Sequence, residues 1–359
     1  MTTADARLPS IPGAETAVSR RGSRWPAVLA PVLLPVRSGQ IVAWEVSAIS
    51  IPLAWHSPAL RLTVVTCAFL LFAATSVRIA GRHLAGWSLT WLSFRISQHD
   101  ERRLAPDPLL ALAPDLRLRQ HADRAGNRFG VVGVGDSWSA VIRLDPGSMP
   151  DPAAITDILR QACDNADIPL TAAQLLTRSD GTDRTDLLAV RYRPAEAPIA
   201  AVARGNGEVG ELRATTRAAL GVLGALSEIG YTGTVLEAGE LAAELRETLG
   251  VHEDRAGSVV NGWRSWAADG SVQAGFTPVG TSPGAVLGTY ARGSAFTVTS
   301  YVLRRNALGR LREELTIRVV RNQVRRKPPR ARDLGFRVVP LYGRQQSAVR
   351  RSLPLALAR

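Results

Sequence analysis

Two short segments of the chain carry the spacing of known catalytic loops. Gly205-Asn206-Gly207-Glu208-Val209-Gly210 reproduces a dinucleotide-binding glycine pattern and precedes a helical stretch. In such a loop the glycines let the backbone approach a pyrophosphate, which rests on the positive end of the helix. Here Glu208 sets a carboxylate where that anion would lie, and no parallel β-α-β unit frames the loop. A turn that opens a helix is the better reading. Gly280-Thr281-Ser282-Pro283-Gly284 fits the nucleophile elbow of hydrolases. The residue after that serine must donate its backbone N–H to the oxyanion, and Pro283 has none. A triad on that fold also needs a histidine after the serine, whereas the last of the five histidines is His252. His56, His83, His99, His121 and His252 show no His-Glu-x-x-His or other paired metal spacing. Cys67 and Cys163 are too far apart in sequence to suggest a disulfide framework or a thiolate zinc site, and Cys163 falls on the apolar face of a helix. Lys327 is the only lysine and sits in Arg325-Arg326-Lys327-Pro328-Pro329, which excludes a Walker A loop and argues against a Schiff-base lysine. The expectation is a protein that is not an enzyme, with no catalytic, cofactor-binding or metal-ligating residues and no cofactor.

Charge locates the remaining candidates. The 359 residues carry 44 basic and 31 acidic side chains, a net of +13. All of that excess falls between Arg304 and Arg359, where only Glu313, Glu314 and Asp333 are acidic. The first 303 residues are balanced at 28 of each sign. Nucleic-acid modules interleave aromatic side chains for base stacking, and from Arg304 onward only Phe336 and Tyr342 are aromatic. Nucleic acid is therefore the less favoured partner. Anionic lipid would add about 1 kcal/mol per surface-proximal basic residue, and an acidic protein face would serve as well.

The elements that would position these groups fall into four stretches. Residues 1–38 are rich in Ala, Pro, Arg and Ser without helical or strand period, and read as a flexible cytoplasmic arm. Arg20-Arg21 has the look of a twin-arginine signal, but Pro26, Pro31 and Pro35 break the apolar stretch after it. Residues 39–77 read as two transmembrane helices, about 39–56 and 59–77, separated at His56-Ser57-Pro58. The arginines flanking this hairpin predict a multi-pass protein of the cell membrane with both termini cytoplasmic, its partner there the lipid bilayer. Glu45 would be an ionisable group within the first span, able to serve a function, snorkel or pair with a neighbouring subunit.

Residues 78–127 read as a juxtamembrane amphipathic helix, marked by Leu84, Trp87, Leu89, Trp91, Leu92 and Phe94, followed by a linker with Pro106, Pro108 and Pro114. Residues 128–359 read as an α+β cytoplasmic domain ending in the Arg-rich region. Its strands are expected at Phe129–Val134, Trp138–Leu144 and Leu187–Tyr192, and its helices after Asp151-Pro152, at Glu208–Ile229 and at Glu237–Leu249. Two further strands alternate around Val298 and Ile317, across the turn at Asn306–Gly309. The fold class expected is therefore an α+β domain with a mixed or antiparallel sheet, preceded by a two-helix transmembrane hairpin.

Four places, in order along the chain, carry a resemblance. They are the N-terminal apolar hairpin, Gly81-Arg82-His83-Leu84-Ala85-Gly86-Trp87, Arg204-Gly205-Asn206-Gly207 before a long helix, and the close of the chain. That close reads Pro340-Leu341-Tyr342-Gly343-Arg344-Gln345-Gln346-Ser347-Ala348-Val349, then Ser352-Leu353-Pro354-Leu355. In these features, over about residues 36–356, the chain resembles EccE, a membrane component of the actinobacterial type VII (ESX) secretion system. His83 departs from the pattern, standing where tryptophan is expected. The resemblance implies a non-catalytic structural subunit that braces the export machinery beside EccB, EccC and EccD, with EccC as the ATPase. The alternative is a membrane-tethered regulatory or binding protein whose basic C-terminal region grips anionic lipid or nucleic acid.

Overall fold

The computed structural model describes residues 38–53, 58–76, 78–79, 82–100, 107–146, 151–251, 259–306, 308–322 and 328–357. The N-terminal arm, the break at residues 56 and 57, His252-Glu253-Asp254 and the run 325–327 lie outside them. Two compact units, Met1–Ala73 and Ala74–Arg359, divide the chain.

The first unit holds helix α1 (Ser38–Leu53) and most of helix α2 (Pro58–Ser76), with Trp44 tilted against Phe72 at 5.7 Å between ring centres. Among the described residues no helix is long and apolar enough to cross a membrane. This overturns the expected transmembrane hairpin and, with it, the multi-pass membrane placement with cytoplasmic termini. The 16 residues of α1, with Glu45 and Pro52 among them, span about 24 Å against a bilayer core of about 30 Å. In α2, Arg61 occupies the first turn and Thr63, Thr66 and Thr75 interrupt the apolar run that follows.

The second unit opens with a two-residue ladder, β1 (Arg78–Ile79) against β2 (Arg82–His83), then helix α3 (Leu84–Asp100) and the short α4 (Pro108–Leu112). Strands β3 (Arg117–Ala122), β4 (Arg128–Val134) and β5 (Ser137–Leu144) follow as a meander. Gly135-Asp136 makes the β4–β5 turn, as its residue types predict. Helix α5 (Pro152–Cys163) leads to β6 (Ala172–Ser179) and β7 (Arg184–Tyr192). After these come α6 (Pro198–Val202), α7 (Gly207–Glu228), β8 (Gly233–Val235) and α8 (Ala238–Leu249). The chain then runs through β9 (Val260–Asn261), β10 (Trp266–Ala268), β11 (Ser271–Pro278), α9 (Pro283–Val286), β12 (Phe296–Arg305) and β13 (Leu311–Asn322). It closes with β14 (Val338–Pro340) and α10 (Gln345–Arg351).

These strands form one 12-stranded sheet in the order β3-β4-β5-β7-β6-β12-β13-β11-β10-β9, with β8 added beside β5 and β14 beside β11. Every neighbouring pair is antiparallel, so the α+β expectation for the domain holds. The two halves of the sheet meet where β6 pairs β12, from Ala172↔Arg304 to Ser179↔Thr297.

Helices cover the sheet on both faces. On one, Ile155, Leu159 and Cys163 of α5 and Ala214, Ala219, Val222 and Leu226 of α7 lie over Leu175, Leu188, Val190 and Leu303. On the other, Leu241, Leu245 and Leu249 of α8, with Leu353 and Leu355 of the C-terminal segment, lie over Val132, Val141, Leu176, Leu187 and Val298. A strand covered on both faces needs no polar alternation, which is why β4 is buried at every position after Arg128. Local signals set the helix ends. Asp151 accepts a hydrogen bond from Ala153 N at 2.9 Å with Pro152 in the first turn of α5, and Gly250 adopts the left-handed conformation at the end of α8.

A polar layer runs through the second core. The residues Ser352–Leu357 lie buried across the sheet, and side chains rather than strand pairing hold their backbone. Gln174 accepts from Ala356 N at 2.6 Å and donates to Ser300 Oγ at 2.8 Å and to Arg351 O at 3.2 Å. Ser139 donates to Leu355 O at 2.8 Å, and Arg191 donates to Val134 O at 2.9 Å. Arg318 on β13 is fully buried and donates to Gln273 Oε1 and to Thr248 O, both at 2.5 Å. Burial pushes its guanidinium down to about 9, with the nearby positive Arg178 acting in the same sense. Burial likewise lowers Arg191 to about 10.

Gln174→Leu keeps the volume but strands Ala356 N in the interior and leaves the Arg351 carbonyl with the Ser300 hydroxyl as its side-chain donor. Each buried group left without a partner costs about 1–3 kcal/mol. Urea unfolding of the variant should show a lower midpoint with an unchanged slope, and faster carboxypeptidase release of residues from the C-terminus.

Candidate interaction site

Helix α3 presents two apolar faces. Trp87, Thr90 and Phe94, spaced three and four residues apart, share one side of the helix. That side meets Trp263 and the Leu341–Arg344 turn. Trp87 lies 5.8 Å from Trp263 and 5.9 Å from Tyr342 between ring centres, and Phe94 meets Trp263 edge-on at 5.3 Å. Arg264 stacks on the ring of Tyr342 at 5.9 Å. Gly343 makes the junction possible. Its φ of 70° is left-handed, its N–H donates to Trp263 O at 2.8 Å, and a Cβ there would run into the Trp263 ring and the Thr90 methyl. The Thr90 hydroxyl donates to Gly86 O at 2.7 Å and accepts from Arg344 at 3.4 Å.

The opposite side of α3 is apolar and uncovered. Leu89, Leu92 and Ile96 follow helical spacing and are 68%, 51% and 63% exposed. Trp91 borders them and carries Arg95 over its ring at 5.4 Å. One helix thus binds the domain with one face and offers the other. In the first unit, Ile41, Val42, Val46 and Ile49 of α1 and Leu62, Phe69 and Leu70 of α2 are also exposed. Contiguous exposed apolar surface of this kind marks sites of association.

The loops that looked catalytic have structural roles. Gly205, Asn206 and Gly207 all take positive φ and turn the chain from α6 into α7, so a helix rather than a strand precedes the glycine pattern. A Cβ on Gly210 would collide with the Ala201 carbonyl, so this glycine lets the two helices close on each other. Glu208 pairs with Arg119 at 2.7 Å. Ser282 is exposed at the N-cap position of the four-residue α9 without a side-chain capping bond, and Pro283 opens that helix. His121 sits on β3, and its side chain is the one histidine side chain among the described residues. Burial and the neighbouring Arg213 hold its imidazole below the usual range. Among the described residues no group of three or more His, Cys, Asp or Glu could hold a metal ion. Cys163 is in the core, where burial pushes its thiol up to about 12, while Cys67 on α2 is exposed. Glu45 is exposed on α1.

Five of the C-terminal arginines are engaged internally. Arg304 and Arg351 share Glu314 at 3.1 and 3.4 Å, Arg321 meets Asp333 at 2.9 Å, and Arg305 meets Asp164 at 2.8 Å. With Arg318 fully buried, these five side chains serve cohesion of the domain, while Arg310, Arg312, Arg330, Arg332, Arg337, Arg344 and Arg350 are exposed. Charge counting could not find these pairs, because their acids come from distant elements or from the facing strand.

The chain is thus an α+β domain with a broad antiparallel sheet and a helix docked by one of its two apolar faces. Residues 182–277 match the family model described as "EccE: Putative type VII ESX secretion system translocon, EccE". The matched stretch runs from β7 to β11 and includes the α6–α7 turn and Trp263, so the resemblance to EccE is supported there. The family implies a component of the type VII secretion translocon. Among curated proteins none matches the chain.

Gly343→Ala should loosen α3. Forcing a Cβ into the left-handed region costs about 1–2 kcal/mol before the clash with Trp263 is counted. Hydrogen–deuterium exchange should rise across residues 84–97, while the β6–β12 seam stays protected. Thiol labelling offers a second check. A maleimide at pH 7.5 should modify Cys67 in the native protein and reach Cys163 only after unfolding, because a buried thiol raised to about 12 carries almost no thiolate.

Proposed function

We propose that this chain is a non-catalytic structural subunit of the type VII (ESX) protein secretion translocon, which braces the export machinery through contacts with EccB, EccC and EccD. The observation that carries the reading is the match of residues 182–277 to the EccE translocon family. The uncovered apolar stripe of α3 supports it, since Leu89, Leu92 and Ile96 project from a helix already anchored on its other side. A helix pinned in this way presents its free stripe with little further ordering cost, which favours stable association. Nucleotide hydrolysis would rest with the motor subunit EccC.

Co-purification tests the assignment. A tagged chain, expressed with the other secretion components, should bring down EccB, EccC and EccD in mild detergent. Leu92→Glu combined with Ile96→Glu should lower that recovery at least tenfold and leave the melting temperature of the isolated chain within about 2 °C, since substitutions at exposed positions are close to neutral for folding. Full recovery with the double variant would remove α3 from the interface, and wild-type protein recovered alone would sink the translocon reading.

A further inference from the structure

The corner where α6 meets α7 leaves bulky apolar side chains bare. Ile199 is 80% exposed, Val202 60% and Val209 51%. Gly205 lies between Val209 and a basic group, since a Cβ there would come within 3.9 Å of Val209 Cγ1 and 3.0 Å of the Arg213 guanidinium. Beside it is a cavity of about 590 Å³ that Arg124 and Arg213 line. Arg213 donates to the Arg204 carbonyl at 2.9 Å, and neither it nor Arg124 meets a carboxylate among the described residues. The acid on this wall, Asp123, is turned onto its own loop, where it accepts from Ala125 N, Asn127 N and the Asn127 amide. Arg204 is tied to Asp167. The corner is thus apolar and carries two arginines without an acid.

The other face of the sheet carries a surface of the complementary kind. Between the end of α8, the β6–β7 turn and the start of β12 lies a groove of about 580 Å³. Val251, Phe296 and Val320 give it an apolar floor. Its two arginines are already engaged, Arg178 with Glu247 at 2.6 Å and Arg246 with a partner of its own. Asp180 and Asp183 on the rim are exposed and form no ion pair among the described residues. Hydrogen bonds from Asp183 N and Thr182 N hold the Asp180 carboxyl below its usual range, so it stays charged. Helix α8 ends at the same groove, where Gly250 lines the wall, and a helix C-terminus is the negative end of its dipole.

Each surface offers what the other lacks. Because α7 and α8 cover opposite faces of one sheet, the two cannot meet within a chain. We propose that the α6–α7 corner of one copy docks into the α8 groove of a second copy. Ile199 and Val202 then meet the apolar floor, while Arg124 and Arg213 face Asp180 and Asp183. Opposite charge steers the approach and fixes the register, and burial of the apolar side chains holds the pair. The contact is heterologous, so a docked pair keeps one unused corner and one unused groove. Association therefore continues head to tail until the rotation closes a ring. The proposal rests on these two surfaces and not on the translocon reading.

Sedimentation velocity of the full chain tests the proposal, over a rising concentration series in mild detergent that covers the apolar helices of the first unit. Wild-type protein should grow through dimers to longer species. Val202→Glu spoils only the corner, and Asp183→Arg spoils only the groove. Each should stay monomeric at concentrations where the wild type associates, with unchanged circular dichroism. Mixed in equal amounts, the two variants should form a dimer and nothing longer, because one supplies an intact groove and the other an intact corner. Ile199→Asp should behave as Val202→Glu does and can replace it in the mixture. Wild-type protein that stays monomeric throughout overturns the proposal. So does association that either variant retains, or a mixture that remains monomeric. Recovery of EccB, EccC and EccD judges the translocon reading separately.

Discussion

The antiparallel pairing of Ala172–Ser179 with Phe296–Arg305 is the contact on which the rest of the domain depends. It joins strands from the first half of the domain to strands from its second half and turns two half-sheets, each with an open edge, into one. Unpaired edges leave rows of backbone donors and acceptors exposed to any passing strand. The same seam supplies Gln174 and Ser300, whose side chains capture the backbone of the C-terminal segment. The end of the chain is thus held by the middle of the sheet, and losing the seam would release both.

Covering the sheet on both faces has consequences for its polar residues. Arg191, Arg318 and Gln174 lie within the second core, where charge and unsatisfied hydrogen bonds are costly. The two arginines donate chiefly to carbonyls and amide oxygens, without a carboxylate, so burial lowers both. Such groups contribute geometry more than net stability. They accept only one register of the tail and of α8, because a shift of one residue would leave their donors unmatched.

The glycines that resemble a catalytic signature serve packing. Gly210 admits the Ala201 carbonyl, and Gly343 admits the Trp263 ring, each at a spot where a methyl group would not fit. These two positions allow α6 to lie on α7 and α3 to lie on the sheet domain. The apolar stripe of α3 is available to a partner only because the helix is anchored through that aromatic junction.

Much of the domain was legible from local pattern. The turn at Gly135-Asp136, the Asp151-Pro152 helix start, the Gly250 stop and the burial of Cys163 each follow from residue types acting over a few positions. The order of motifs also pointed to EccE, which the match over residues 182–277 supports. Strand β6 was missed because Ala-Ala-Gln-Leu-Leu is buried on both faces and shows no alternation, and β3 because its mostly polar residues lie at a sheet edge. The apolar length of residues 39–77 suggested a membrane hairpin, yet the 16 residues of α1 and the early Arg61 in α2 fall short of a span. The sequence by itself determined where helices start and stop and how much charge the chain carries. Only the tertiary structure decided which arginines meet acids and where Trp87 and the C-terminal leucines lodge, because those partners lie tens to hundreds of residues away and no local period encodes them.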